Sequence, residues 1–287
     1  YLVKPILITG ANGYIGRQLA DQLLQNGHTI IATSRNGLCD TIKMDFTNET
    51  EIKNVLNGLK PSVVIHCGAK GKPDECESNK EMALLNNASA TKLLVHYAAD
   101  INASFVYLST DFVFDGTKAW LTETDKPNPV NYYGYTKYLG EQAVLAYANS
   151  CIIRTVLVYG KPLNGRENLV TLTQKKLIAG EIFHVVNDQK RTPTFVNDLL
   201  KAVEAAVLRK AKGIFHISGN EMFTPYEIAC ETAKFLKIDA SLLHPVTKDT
   251  FREIAPRPLL SGFNCQKAII ELDFIPTSFH AALKKIF

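Results

Sequence analysis

Several features are missing from this 287-residue chain, and each absence removes a class of function. Its six cysteines (Cys39, Cys67, Cys76, Cys151, Cys230 and Cys265) never pair at CxxC spacing. Neither a zinc ribbon nor a disulfide framework is expected, and scattered reduced thiols point to the cytoplasm. No apolar run approaches the roughly 18 residues that a membrane helix requires. The opening stretch YLVKPILITG leads straight into a strand pattern, so no signal peptide is expected within it. Long blocks of like charge are absent, and Lys+Arg 32 against Asp+Glu 28 leave a net charge of +4. Binding to nucleic acid or to a membrane surface therefore has no electrostatic support. Internal repeats and low-complexity tracts are also lacking.

What is present is alternation. With 46% hydrophobic residues, the chain can bury one large core, or a core plus a smaller lobe. Short apolar runs at Val3–Thr9, His28–Thr33, Ser62–His66, Ala103–Ser109 and Cys151–Val156 read as strands. Helical spacing separates them at Tyr14–Asn26, Asn48–Gly58, a long stretch near Glu77–Asp100, and Tyr132–Asn149. Strands apolar on both faces, alternating with helices, predict a parallel sheet covered on both sides. The fold class expected is α/β, a Rossmann-like doubly wound parallel sheet over residues 1–160. Residues 161–287 are expected to form mainly a smaller substrate lobe, with helices at Glu167–Gly180 and Val196–Lys210 and a strand at Ile182–Val186. A strand at Gly213–Ser218 returns to the main sheet, and the tail from Pro225 reads as helical with proline-rich breaks.

Gly10-Ala11-Asn12-Gly13-Tyr14-Ile15-Gly16 lies between the first strand and the first helix. Glycines there allow a tight turn and bring backbone N–H groups to a pyrophosphate at a helix N-terminus. An ordinary glycine turn is the alternative, but the strand-then-helix context is what the mechanism needs. This GxxGxxG spacing resembles the NAD(P) site of extended short-chain dehydrogenases/reductases. At the end of the second strand, Ser34 stands where an NAD-specific site carries a carboxylate, and Arg35 follows. A 2′-phosphate is then not repelled, and a guanidinium can pair with it, so NADP(H) is favoured while NAD(H) stays open. Asp45-Phe46 resembles the family's adenine-binding acid, although a helix-start turn explains it nearly as well. His66-Cys67-Gly68-Ala69 resembles the family's backbone-lined cofactor wall, with Cys67 read as a small buried hydrophobe.

The chemistry is expected in two further segments. Tyr133 and Lys137 form a YxxxK pair on one helix face. The ammonium is expected to favour the phenolate and lower the phenol's pKa, so that Tyr133 could serve a substrate carbonyl as proton donor. Tyr132 and Tyr135 compete, at poorer spacing. The other segment, Leu108-Ser109-Thr110-Asp111-Phe112, places hydroxyls at the C-terminal end of a strand, over the crevice of an open sheet.

Ser109 to Gly116 (STDFVFDG) and Pro127 to Gly134 (PNPVNYYG) resemble the dTDP-4-dehydrorhamnose reductase family. So do Arg154-Thr155, Val158-Tyr159-Gly160, Arg191-Thr192-Pro193-Thr194 and Arg257-Pro258. The resemblance implies a catalytic triad of Thr110, Tyr133 and Lys137. Ser109, Asp111 and Phe112 would line the nicotinamide and sugar pocket, with Asn86, or its neighbour Asn87, in support. The substrate implied is a nucleotide-linked 4-keto-6-deoxy sugar. Two departures stand out. Leu157 occupies a place where the family tends to carry Trp. Gln18 replaces an acid that in some members binds an intersubunit metal, so no metal is expected. A homodimer is compatible with the sequence, which does not fix the oligomeric state. Gly213 to Glu221 with Tyr226-Glu227-Ile228-Ala229-Cys230 also resembles the regulatory beta subunit of methionine adenosyltransferase, an NADP-binding module without catalysis. The acidic pair of the dehydratases is not matched, since Phe112 follows Asp111.

Overall fold

The structure, a computed structural model, describes residues 4–163 and 167–287. The first half runs β1 (Ile6–Thr9), α1 (Tyr14–Gln25), β2 (Ile30–Ser34), β3 (Ile42–Lys43), α2 (Glu49–Leu59) and β4 (Val63–His66). It continues through α3 (Pro73–Ser78), α4 (Lys80–Leu84), a π turn (Leu85–Ser89), α5 (Ala90–Asp100), β5 (Ser104–Thr110), α6 (Tyr132–Leu145) and β6 (Ser150–Thr155). The second half holds β7 (Val158–Tyr159), α7 (Leu169–Ile178), β8 (Phe183–Val186), β9 (Lys190–Arg191), β10 (Thr194–Phe195) and α8 (Val196–Leu208). After these come β11 (Gly213–Ile217), α9 (Pro225–Leu236), β12 (Leu243–Val246), β13 (Leu260–Ser261), α10 (Gln266–Leu272) and α11 (Phe279–Ile286). Val3, which the pattern put in the first strand, lies outside the described residues.

Seven strands pair in the order β11-β6-β5-β4-β1-β2-β3, every pair parallel. This is the doubly wound α/β sheet expected from the alternation. Successive side chains of its strands feed opposite cores. Ile6, Ile8, Val63, Ile65, Val106, Leu108 and Ile153 meet Leu19 and Leu23 of α1, Leu199 and Val203 of α8, and Ala268 and Leu272 of α10. Leu7, Val64, Phe105, Tyr107 and Ile152 meet Ile52 and Leu56 of α2, Leu94 and Ala98 of α5, and Val144 of α6. Strands buried on both faces explain why the apolar runs were continuous instead of alternating.

β11 joins the edge of the main sheet beside β6, with Gly213 opposite Cys151. The tail is less helical than its pattern, because β12 pairs with β8 and β13 with β9. Its helix α10 packs back on the main sheet through Ala268 and Leu272. Two smaller clusters lie apart from it, one of Val170, Ile228, Phe279 and Leu283 from α7, α9 and α11, the other of Leu177, Val185, Ala233 and Leu243 from α7, β8, α9 and β12. The long helix expected near Glu77–Asp100 is broken at Asn79. There φ is −134° and the Asn79 side chain accepts a hydrogen bond from Met82 N, capping α4.

Candidate active site

The strand order reverses between β1 and β4, the switch point at which open α/β sheets bind ligands beyond their carboxyl ends. Three cavities adjoin there. An inner one of about 350 Å³ is walled by Gly10, Asn12, Ser34, Arg35, Phe46, Gly68 and Asn86. A central one of about 490 Å³ holds Tyr14, Ile15, Gly16, Ser109, Thr110, Asp111, Tyr133 and Lys137. An outer one of about 480 Å³ is bordered by Phe183, His184, Gln189, Arg191, Glu253 and Arg257. Gly13, Cys67 and Ala69 belong to both the inner and central walls. Phe112 and Leu157 belong to both the central and outer ones.

The glycine turn is shaped for close approach. Gly10 has φ of +66°, and a Cβ there would lie 2.7 Å from Gly68 Cα, so the turn after β1 and the end of β4 touch backbone to backbone. No side chain caps α1 at Gly13, which leaves first-turn N–H groups facing the crevice. Among the described residues, Asn12 Oδ1 is the one buried side-chain polar atom without a hydrogen-bond partner. An orphan acceptor beside open N–H groups, in a cradle that a side chain would fill, fits a dinucleotide.

Ser34 and Arg35 divide their work. The Ser34 hydroxyl is turned into its own loop, 2.5 Å from Thr41 Oγ1 and accepting from Gly37 N at 3.1 Å. Arg35 is half exposed and held at both ends, by Asp45 Oδ2 on Nε at 3.0 Å and by Asn86 Oδ1 on Nη2 at 3.0 Å. Asp45 itself does not border the inner cavity. Its carboxylate accepts from Thr47 N and Oγ1 at 2.9 and 2.7 Å. Burial raises its pKa, but the Thr47 bonds and Arg35 outweigh burial and hold it below the usual carboxylate range. Phe46 packs on Gly68 and edge-on to His66, at 5.3 Å between centroids. Asn86 borders the cavity. Asn87 is spent within the fold, accepting from Lys70 N and donating to Lys70 O and Thr136 Oγ1. The π turn makes that division: consecutive asparagines at its start face different ways.

At the end of β5, Ser109 donates to Glu141 Oε1 at 2.5 Å and Thr110 donates to Asp111 Oδ1 at 3.1 Å. Asp111 is buried and accepts from Ser261 Oγ at 2.5 Å. Burial raises its pKa, against the opposing pull of Arg191 and the Ser261 bond. Helix α6 starts at Asn131, whose side chain accepts from Gly134 N at 2.8 Å and donates to Pro256 O at 2.7 Å. Of the three tyrosines, only Tyr133 borders the central cavity. Tyr132 lies under Lys80, and Tyr135 is exposed. Burial raises the Tyr133 phenol above its ordinary value, with Thr110 opposing and Asp111 adding. The lowering expected from Lys137 is not seen, because burial dominates. Lys137 is itself buried and donates to Leu108 O at 2.7 Å. Burial pushes its pKa down to about 7, against Glu141 and Cys67. The Cys67 thiol is pushed up to about 12 by burial, which makes it an inert wall residue at neutral pH.

Sequence reading missed Asn36 and Lys70 as wall residues and Ser261 as the partner of Asp111, while Leu157, noted for the absent Trp, and Thr155 and Val158, noted in the resemblance, border the central cavity. Leu157 has φ of +34°, a strained backbone where the central and outer cavities meet. Arg191 and Arg257 had been noted only as part of a resemblance. They belong to the outer wall, where Arg191 donates to Pro258 O and Arg257 pairs with Asp74, both at 3.0 Å.

A solved structure, dTDP-4-dehydrorhamnose reductase from Bacillus anthracis in complex with NADP, superposes with a TM-score of 0.91. It is 29% identical, with 100% of this chain and 99% of that one covered. Methionine adenosyltransferase 2 subunit beta of Xenopus laevis is 34% identical over 91% of this chain and 80% of its own length. The dTDP-4-keto-6-deoxy-D-glucose reductase of Streptomyces niveus is 33% identical over 89% and 88%. The family described as RmlD substrate binding domain matches residues 4–287, and the chain belongs to that family.

Proposed function

We propose that the protein is an NADPH-dependent reductase of a nucleotide-linked 4-keto-6-deoxy sugar. The observation that carries this reading is the convergence of Thr110, Tyr133 and Lys137 on one cavity, between a glycine-turned inner cavity and an arginine-bearing outer one. The names of the Bacillus and Streptomyces relatives support it. Gly10, Asn12, Gly13, Tyr14, Ile15 and Gly16 would hold the pyrophosphate side, with Arg35 at the ribose phosphate; NAD(H) remains a weaker alternative. The bound nicotinamide supplies hydride. Tyr133, kept neutral by burial, gives its phenolic proton to the sugar oxygen, and the Thr110 hydroxyl turns its proton from Asp111 Oδ1 to donate to that oxygen. Lys137 is the cation beside the phenolate that remains. Asp111 and Phe112 contact the sugar, while Arg191 and Arg257 face its diphosphate. Residues 1–160 would bind cofactor and 161–287 mainly substrate, in a cytoplasmic protein. The six cysteines, all free in this structure, fit that compartment.

The test is oxidation of NADPH, and of NADH, over a panel of nucleotide-linked 4-keto sugars. A second reading is favoured by the identity to the Xenopus subunit: a regulatory, non-catalytic partner of methionine adenosyltransferase. It predicts a stable complex with that enzyme in a pull-down and no turnover of any 4-keto sugar. Turnover without such a complex excludes it.

A further inference from the structure

Behind the central cavity lies a buried polar chain that the reaction described above does not use. Arg154 of β6 grips Glu141 of α6 with two bonds, Nε to Oε1 at 2.9 Å and Nη2 to Oε2 at 2.6 Å. Both side chains are essentially inaccessible to solvent. Arg154 Nη1 also reaches His216 Nε2 at 3.3 Å, and His216 Nδ1 is 3.0 Å from Leu121 O. A carbonyl can only accept, so His216 donates from Nδ1 and accepts from Arg154 at Nε2, as a neutral ring. At the other end the chain stops on Ser109, whose proton is given to Glu141 at 2.5 Å.

Two consequences reach the cavity. The Ser109 hydroxyl offers only lone pairs to a ligand, so it accepts from an N–H or O–H and does not donate. Glu141 also follows Lys137 by one helical turn, on the same face of α6. Lys137 is otherwise surrounded by groups that favour a cation through charge less than Glu141 does, as Cys67 does, or not at all. These are the neutral His66 ring and the Cys67 thiol at the end of β4, Leu108 O and the Tyr107 ring of β5, and Tyr133 on its own helix. Glu141 is the largest influence raising the lysine's pKa against burial.

We propose that Glu141 is a positioning residue of the catalytic site: clamped by Arg154, it fixes the Ser109 hydroxyl and supplies the anionic neighbour that keeps Lys137 an ammonium. This rests on the reading of Lys137 as catalytic, but its test needs no turnover. In protein labelled with ¹⁵N-lysine, the Lys137 side-chain resonance is assigned by its loss in Lys137→Met and followed against pH. In Glu141→Gln the Lys137 midpoint should fall by on the order of one pH unit. The double variant Glu141→Gln/Arg154→Met removes both charges while keeping bulk, and such replacements of buried pairs are often tolerated. It decides the matter if the single variant does not fold, and it removes any effect of an unpaired Arg154. Its midpoint should also lie below that of the wild type. A double-variant midpoint equal to the wild-type one overturns the proposal. If the protein does turn over a sugar, the pH profile of kcat should move by the same interval, a shift that a merely structural role would not produce. Failure of the wild type to reduce any sugar would count against the reductase reading alone, since the Lys137 titration is still read.

Discussion

At the scale of single residues, burial sets the protonation of the site. A phenol raised by burial stays protonated at neutral pH, as a group that must give a proton requires. Tyr133→Phe removes one oxygen from a side chain already packed edge-on to Phe112 at 5.6 Å. Fold and NADPH affinity should survive, and kcat should fall by about 10²–10⁴. Steady-state rates and a fluorescence titration of NADPH on the same preparation check both halves. Arg35 gives a second case with a built-in amplifier. Its guanidinium neutralises Asp45, whose carboxyl is held below the usual range and is therefore ionised. If Arg35 holds the 2′-phosphate as proposed, Arg35→Ala removes that contact and uncovers the carboxylate, so NADPH should weaken by roughly tenfold or more while NADH changes little. Equal losses for the two cofactors would take Arg35 out of the phosphate site.

Between elements, the decisive contact is that of α6 with the 111–113 turn after β5. A Cβ on Gly134 would stand 2.0 Å from Phe112 O and 2.8 Å from Phe112 C. The helix can carry Tyr133 close to Thr110 only because position 134 has no side chain. Gly134→Ala should cost about 1–3 kcal/mol of stability through overpacking. It should also lower kcat, because the helix must move away from the strand end; urea midpoints and kcat measured together test this. The contact was not legible beforehand, although its parts were. Buried strands show as apolar runs, and an apolar face shows as helical spacing, so the sheet and α6 could be read directly. The π turn at Leu85–Ser89 has no periodicity of its own, so Asn86 and Asn87 could not be told apart. Asp111 and Ser261 are 150 positions apart, and Arg191 meets Pro258 across 67. No local pattern encodes such pairs. Burial of the Tyr133 phenol is likewise a tertiary quantity, which is why a lowered pKa was expected and a raised one found.

For the molecule as a whole, the buried titratable groups lean one way. His66 is fully buried, 2.6 Å from Thr9 Oγ1 at Nδ1 and 3.2 Å from Thr91 Oγ1 at Nε2. Thr91 spends its own proton on Asn87 O, so the ring donates from Nε2, and as a neutral ring it accepts from Thr9 at Nδ1. Burial, with Lys137 adding, lowers the His66 pKa to about 3; burial, with Arg154 adding, lowers that of His216 to about 3. Between pH 6.5 and 3 the unfolded chain therefore binds a proton at each histidine that the folded protein refuses. Stability must fall as the pH drops through that window, by about 1.4 kcal/mol per pH unit for each ring. Lys137, lowered to about 7 from an ordinary value near 10.4, has the same sign over a higher window, so stability continues to rise with pH above neutrality. The limit comes from acids raised by burial. Cys67 and Cys151 are pushed up to about 12. Above about pH 8.5 the unfolded chain loses thiol protons that the folded protein keeps, and stability declines. Maximum stability is thus expected near pH 8–9, above the common range of about 5–8. Urea unfolding at pH 5.5, 7, 8.5 and 10 measures the curve. His216→Gln supplies the control, since its amide can still donate to Leu121 O and its carbonyl can still accept from Arg154. The variant should lose about 1.4 kcal/mol per pH unit of the acid slope and keep the alkaline limb. An acid limb as steep as that of the wild type would show that His216 does not set it.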